Sequence, residues 1–152
     1  MIASNTNVFD GAIPSANSAG AYALLRLGRL LQNDEFTQAG TKILQGESAR
    51  LSQMPVAHAY GLLALEWLLL PVREIVVAGD DAEPMLAELR KHFLPRSVMI
   101  RNDGNPKLRE LVPFVENQKA LGGKPTAYVC ENYTCNAPVT DIEKLKEALA
   151  SS

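Results

Sequence analysis

Between Pro55 and Pro71 the chain places Ala57, Tyr60, Leu63, Ala64, Trp67 and Leu68 at helical spacing, and the opposite side is filled by Leu62, Leu65 and Leu69. Only His58 and Glu66 interrupt the grease. Pro55 suits the first turn of such a helix and Pro71 forbids its continuation. A helix apolar all round must be covered on every side. Any fold for this chain has to answer that demand, and two amphipathic neighbours leave part of it unanswered.

Those neighbours lie upstream. Asp10-Gly11-Ala12-Ile13-Pro14-Ser15-Ala16-Asn17-Ser18 reads as a loop with several helix caps, so a first helix is expected to start near Ser18. Ala21, Leu24, Leu25, Gly28 and Leu31 recur at helical spacing, with Arg26 and Arg29 off the stripe, and the helix should end near Asn33. Asp34 is the expected N-cap of a second helix, whose apolar face is Phe36, Ala39, Ile43, Leu44 and Leu51 and whose end falls near Gln53.

After Pro71 the period changes. Glu74-Ile75-Val76-Val77-Ala78, stopped by Gly79, has the pattern of a buried strand. Asp80 or Asp81 should cap a helix with Met85, Leu86, Leu89 and Phe93 on its apolar face, and Ser97 to Arg101 should close a β-α-β unit. A third strand, Thr126 to Cys130, follows Gly122-Gly123-Lys124-Pro125. A last helix after Asp141 carries Ile142, Leu145 and Leu149. The fold class is therefore mixed α/β: a helical hairpin region over residues 1–71, then a small α/β module over 72–152 with a three-stranded, mainly parallel sheet.

Composition bears on function mainly by exclusion. The chain has 15 basic and 17 acidic residues, so its field favours neither a nucleic acid nor an anionic membrane. The longest apolar run, Leu62 to Leu70, is too short to span a bilayer, and Met1 to Asn17 does not read as a secretory signal. A cytoplasmic location is the default, and thiols the expected resting state of Cys130 and Cys135.

Four features invite a functional reading. The Asp10 loop presents Asp10, Ser15, Asn17 and Ser18 at a helix N-terminus, which favours polar or anionic ligands; capping is the plainer role of the same residues. The turn Gly79-Asp80-Asp81 sits where doubly wound proteins bind nucleotides, but it lacks the glycine fingerprint and puts carboxylates where phosphate would lie. Cys130 and Cys135, with four residues between them, fit packing thiols, a reversible disulfide or, less readily, half a metal site. His58 and Glu66 fit a buried acid/base pair, or a histidine near solvent at a helix start and a glutamate paired with a nearby base. No catalytic residue can be named, and neither a metal nor a cofactor is called for.

The Asp10–Ser18 phrase, Phe93-Leu94-Pro95, and Pro125 to Cys130 followed by Cys135-Asn136-Ala137-Pro138-Val139-Thr140-Asp141 together carry a family resemblance. In that order they resemble the C-terminal end of the spermatogenesis-associated, thioredoxin-domain-containing protein family. Members of that family carry a thioredoxin-like domain and then an (α/α) toroid similar to that of six-hairpin glycosidases. The resemblance implies that the three helices are the last hairpins of a toroid and that the α/β module is an appendage. It places the Asp10 loop at the toroid mouth, near a small-molecule or sugar ligand, and matches Cys130 and Cys135 to the family's closing pair. Three readings follow: a fragment or truncated member whose Asp10 loop contributes to a polar or carbohydrate pocket, an interaction module that self-associates, and an accessory redox pair at Cys130 and Cys135. The expected partner is the rest of the parent toroid or a second copy of the chain.

Overall fold

The computed structural model describes residues 9–150. The stretch read as lacking a secretory signal therefore lies, for residues 1–8, outside the described residues. The chain divides between Leu70 and Pro71 into two compact units.

The first unit is helical. Helix α1 (Ala16–Leu31) begins two residues earlier than expected, because Ser15 is its N-cap: Oγ of Ser15 accepts a bond from the Ser18 amide. Helix α2 (Asp34–Gln53) is capped by Asn33, whose side chain accepts from the amides of Glu35 and Phe36, so Asp34 falls in the first turn rather than at the cap. A 3-10 turn (Pro55–His58) leads into α3 (Ala59–Leu69), which ends two residues before Pro71.

Helix α3 turns its small side inward. Gly61, Ala64 and Trp67 are its buried residues. A Cβ on Gly61 would lie 2.9 Å from Leu51 Cδ2 and 3.1 Å from Ser18 Oγ, so α3 approaches α1 and α2 closely through this glycine. The Trp67 and Tyr22 rings meet edge to face, and the Arg26 guanidinium lies 5.3 Å from the Tyr22 ring centre and 5.4 Å from that of Trp67. The leucines point the other way: Leu62, Leu63, Leu69 and Leu70 are exposed, Leu69 by 68%. His58 is 2% exposed and not near solvent, its ring packed against Phe9 with centroids 5.4 Å apart. Its Nε2 has no hydrogen-bond partner among the described residues.

The second unit holds strands β1 (Arg73–Ala78), β2 (Ser97–Asn102), β3 (Thr126–Glu131) and β4 (Thr134–Cys135) in the order β2-β1-β3-β4. The expected three-stranded, mainly parallel sheet is thus four-stranded and mixed: β1 and β2 are parallel, whereas β1 with β3 and β3 with β4 are antiparallel. The reason lies in the connection. A parallel β3 would need a crossover long enough to carry the chain back along the sheet. Between β2 and β3 the chain forms only α5 (Pro106–Leu111) and a 3-10 turn (Pro113–Val115). It therefore re-enters at the end it left, where both Asn102 and Thr126 pair with Ala78.

Residues of opposite parity face opposite sides of the sheet. Ile75, Val77, Ala127 and Val129 pack under α4 (Glu83–Leu89) and α6 (Ile142–Ala150) with Met85, Leu89, Leu145 and Leu149. Helix α4 is shorter than its pattern: it stops at Leu89, Phe93 is 90% exposed beyond it, and its N-cap is Ala82 without a side-chain bond, so neither Asp80 nor Asp81 caps it. The other face is covered by residues 112–121 and is more polar. Three of its side chains hold that cover down. Asn102 Nδ2 donates to the carbonyls of Val115 (3.0 Å) and Gln118 (2.7 Å), the Tyr128 hydroxyl donates to Lys119 O (2.7 Å), and Thr126 Oγ1 accepts from Leu121 N (2.9 Å).

A disulfide in a cleft of the second unit is the candidate functional site

Strands β3 and β4 are joined by Asn132 and Tyr133, both in the left-handed region at φ 50° and 61°, as a two-residue primed hairpin turn requires. A turn this short sets the register. Cys130 and Cys135 become directly opposed partners, with side chains on the same side of the sheet, and they form a disulfide. The expectation of resting thiols is corrected on this point. Five residues of sequence separation become adjacency once the loop is a two-residue turn.

The row continues onto β1, where Glu74 is the register partner of Cys130. Glu74, Cys130 and Cys135 thus lie side by side across β1, β3 and β4, on the polar face. Glu74 is completely buried and its Oε2 accepts the Tyr133 amide at 2.9 Å, so it also holds the hairpin turn in place. Gln118, delivered by the covering segment, is 93% buried, and its Nε2 points at both sulfurs, 3.5 Å from Cys130 Sγ and 3.3 Å from Cys135 Sγ. Its Oε1 is buried with no donor among the described residues.

These groups line a cleft of about 330 Å³ together with Phe114, Tyr128 and Tyr133. Phe114 and Tyr133 pack with ring centroids 5.4 Å apart. The two cysteines are not equivalent: Cys130 is 2% exposed, whereas Cys135 is exposed. Glu74 and Gln118 did not figure among the sequence candidates. Glu74 opens a β-branched run and reads as its polar flank, while Gln118 sits in a stretch without periodicity. The one hint is parity, since Glu74 shares a strand face with Val76 and Ala78.

The Asp10 loop presents a different picture. Asp10 Oδ1 accepts from Ser15 N (2.8 Å), and Oδ2 accepts from Tyr60 N (2.8 Å), Gly61 N (3.1 Å) and the Ser18 hydroxyl (3.2 Å). Ser15 Oγ in turn donates to Ser18 Oγ at 2.9 Å, and Asn17 reaches out to Glu47 at 2.8 Å. The structure thus brings Asp10, Ser15 and Ser18 together and leaves Asn17 apart. Four accepted bonds occupy the carboxylate's capacity. Burial works against its charge, but the bonds from Ser15, Gly61, Ser18 and Tyr60 outweigh it and hold the carboxyl below its ordinary range. Chemically this is a clasp tying the loop to the first turn of α3.

Among the described residues no group of three or more His, Cys, Asp or Glu side chains is placed to hold a metal ion. No helix there is long and apolar enough to cross a membrane.

No family model and no solved structure matches the chain. Curated relatives do. Spermatogenesis-associated protein 20 of Homo sapiens is 34% identical over 146 residues, which is 92% of this chain and 19% of that protein. The Mus musculus protein of the same name is 31% identical over 92% of the chain and 18% of its own length. Uncharacterized protein B0495.5 of Caenorhabditis elegans is 30% identical over 91% of the chain and 19% of its own length. The chain spans about a fifth of the length of these relatives. With more than nine-tenths of its length aligned to them, the chain belongs to the spermatogenesis-associated protein 20 family.

Proposed function

We propose that this chain supplies a reducible Cys130–Cys135 disulfide to a larger thiol–disulfide system. The observation that carries the reading is the setting of the pair: one cysteine exposed, one buried, and a buried amide shared between their sulfurs. A buried Gln118 Oε1 without a donor costs about 1–3 kcal/mol. A disulfide has no hydrogen to offer it. A dithiol has two, and a turn of the amide about its last bond brings the oxygen to them while Nε2 leaves the sulfurs, so reduction relieves part of that cost.

The reaction is a two-electron exchange with a partner dithiol. A partner thiolate attacks Cys135 Sγ, the Cys130–Cys135 bond breaks, and Cys130 leaves as the thiolate. The partner's second thiolate then attacks its own mixed-disulfide sulfur and releases Cys135. The partner becomes the disulfide, and two protons complete the pair of thiols here. The thioredoxin-like domain that the family resemblance implies elsewhere in the parent is a dithiol of the right class. A cytoplasmic setting, proposed with this reading, suits it, since disulfides there are mostly catalytic or redox-sensing. Thiol titration of the folded chain tests it: two thiols after treatment with a dithiol and none after mild oxidation support the proposal, and thiols that stay free after oxidation sink it.

A second reading concerns the first unit. The outward leucines of α3 line a groove of about 390 Å³ with scarcely any polar surface. We read it as the seat of the preceding hairpins of an (α/α) toroid, in keeping with relatives about five times longer than the chain. A sugar-binding role for the Asp10 loop draws less support, because a ligand there would have to displace the clasp.

A further inference from the structure

Breaking the disulfide by attack at Cys135, the exposed cysteine, leaves negative charge on the buried Cys130, and the cleft offers little to hold it. The titratable groups lining the cleft with Glu74 are Cys130 and Tyr128 from β3, Cys135 from β4 and Tyr133 from the turn. The covering segment contributes Phe114, Asn117 and Gln118, none of them charged, and the β2 residue beside Glu74 is Val98. No lysine, arginine or histidine is among the lining residues. The Tyr128 hydroxyl is committed to Lys119 O, and Gln118 gives Cys130 one uncharged amide contact, at 3.5 Å. Glu74 is the one carboxyl in the cleft, it is fully buried, and it stands opposite Cys130 in the strand register.

We infer that Glu74 is the proton-transfer residue of the Cys130–Cys135 pair, passing a proton to and from the Cys130 sulfur, directly or through one water that the cleft has room to hold. The inference rests on the redox reading above and deepens it. When the dithiol is oxidised, the Cys130 S–H proton goes to the Glu74 carboxylate as Sγ attacks the partner–Cys135 mixed disulfide. The new S–S bond takes the sulfur's electron pair and the partner sulfur departs as a thiolate. Reduction runs the same path backwards: the protonated carboxyl gives its proton to the departing Cys130 sulfur, and solvent restores it. The bond from Tyr133 N to Oε2 fixes the carboxyl in place during both steps. A purely structural Glu74 would do no more than hold that turn.

The test is the rate at which dithiothreitol reduces the pair between pH 5 and 9, divided at each pH by the concentration of dithiothreitol thiolate. Wild type should show a limb at low pH in which the normalised rate is highest and falls as the carboxyl loses its proton. Glu74→Gln keeps an acceptor for the Tyr133 amide but cannot carry the proton. It should lose that limb and react at least about tenfold more slowly at the low-pH end, a threshold set below the usual general-acid effect of about a hundredfold or more. Glu74→Asp should recover part of the limb. Glu74→Gln within twofold of wild type with the same pH profile overturns the inference while leaving the redox reading standing. Wild-type protein whose disulfide dithiothreitol does not reduce overturns the redox reading itself. Should the glutamine variant fail to fold, the wild-type rate in heavy water decides: slowing of about twofold or more at low pH supports the transfer, and no slowing overturns it.

Discussion

Replacing Asp10 by alanine should weaken the helical unit far more than a substitution in an ordinary surface loop. The carboxylate satisfies three backbone amides and one hydroxyl, and two of those amides, Tyr60 and Gly61, belong to the first turn of α3. Loss of a cap costs about 1 kcal/mol, and each further bond to a charged acceptor about 1 more when its donor is half-buried, so the total is about 3 kcal/mol. For a unit of this size that lowers Tm by on the order of 15 °C. The acid dependence follows from the lowered carboxyl pKa. A group whose folded pKa is depressed contributes stability above its unfolded value, near ~4, and loses it as pH falls through the folded value. Thermal unfolding of the whole chain at pH 7 and in steps down to pH 2 measures both effects. Wild type should lose stability on acidification below about pH 4, and Asp10→Asn should lack that component. A change under about 0.5 kcal/mol in Asp10→Ala, or identical acid profiles for wild type and Asp10→Asn, would refute the clasp.

Two further outcomes follow from packing. Gly28 stands where α1 meets the start of α2, and a Cβ there would lie 2.9 Å from Thr37 N and closer still to Thr37 Oγ1. Gly28→Ala should therefore cost about 2 kcal/mol or more despite alanine's better helix propensity, measured by urea unfolding; a stabilised variant would contradict it. Leu63→Glu with Leu69→Glu should leave circular dichroism unchanged, since both side chains are exposed, and should reduce dye binding and solution mass if the groove is a docking surface. Unchanged dye binding and mass would count against it.

What the residues disclose on their own is uneven, and the unevenness has physical causes. Pro71 and the β-branched run Ile75 to Val77 announce the helix-to-strand change because both signals are local. The all-apolar α3 announces its outward leucines by the same logic, although which side faces in is decided by Gly61, a packing fact rather than a periodicity. The direction of β3 depends on what the 23 residues between Asn102 and Thr126 do not build, namely a long crossover helix. The β4 hairpin hides behind Tyr133, a bulky residue at positive φ where turn rules expect glycine or asparagine. Once that turn is missed, the Cys130–Cys135 pairing, the Glu74 row and the Gln118 contact are all out of sight. The candidate site is therefore legible only as two cysteines.

The midpoint reduction potential of the Cys130–Cys135 pair, measured by equilibrating the folded chain with defined ratios of reduced and oxidised dithiothreitol and counting thiols, tests the central claim most directly. A pair that exchanges with dithiol proteins should titrate between about −180 and −270 mV, with circular dichroism unchanged across the transition. A midpoint below about −300 mV, or unfolding on reduction, would mark a structural disulfide and contradict the account.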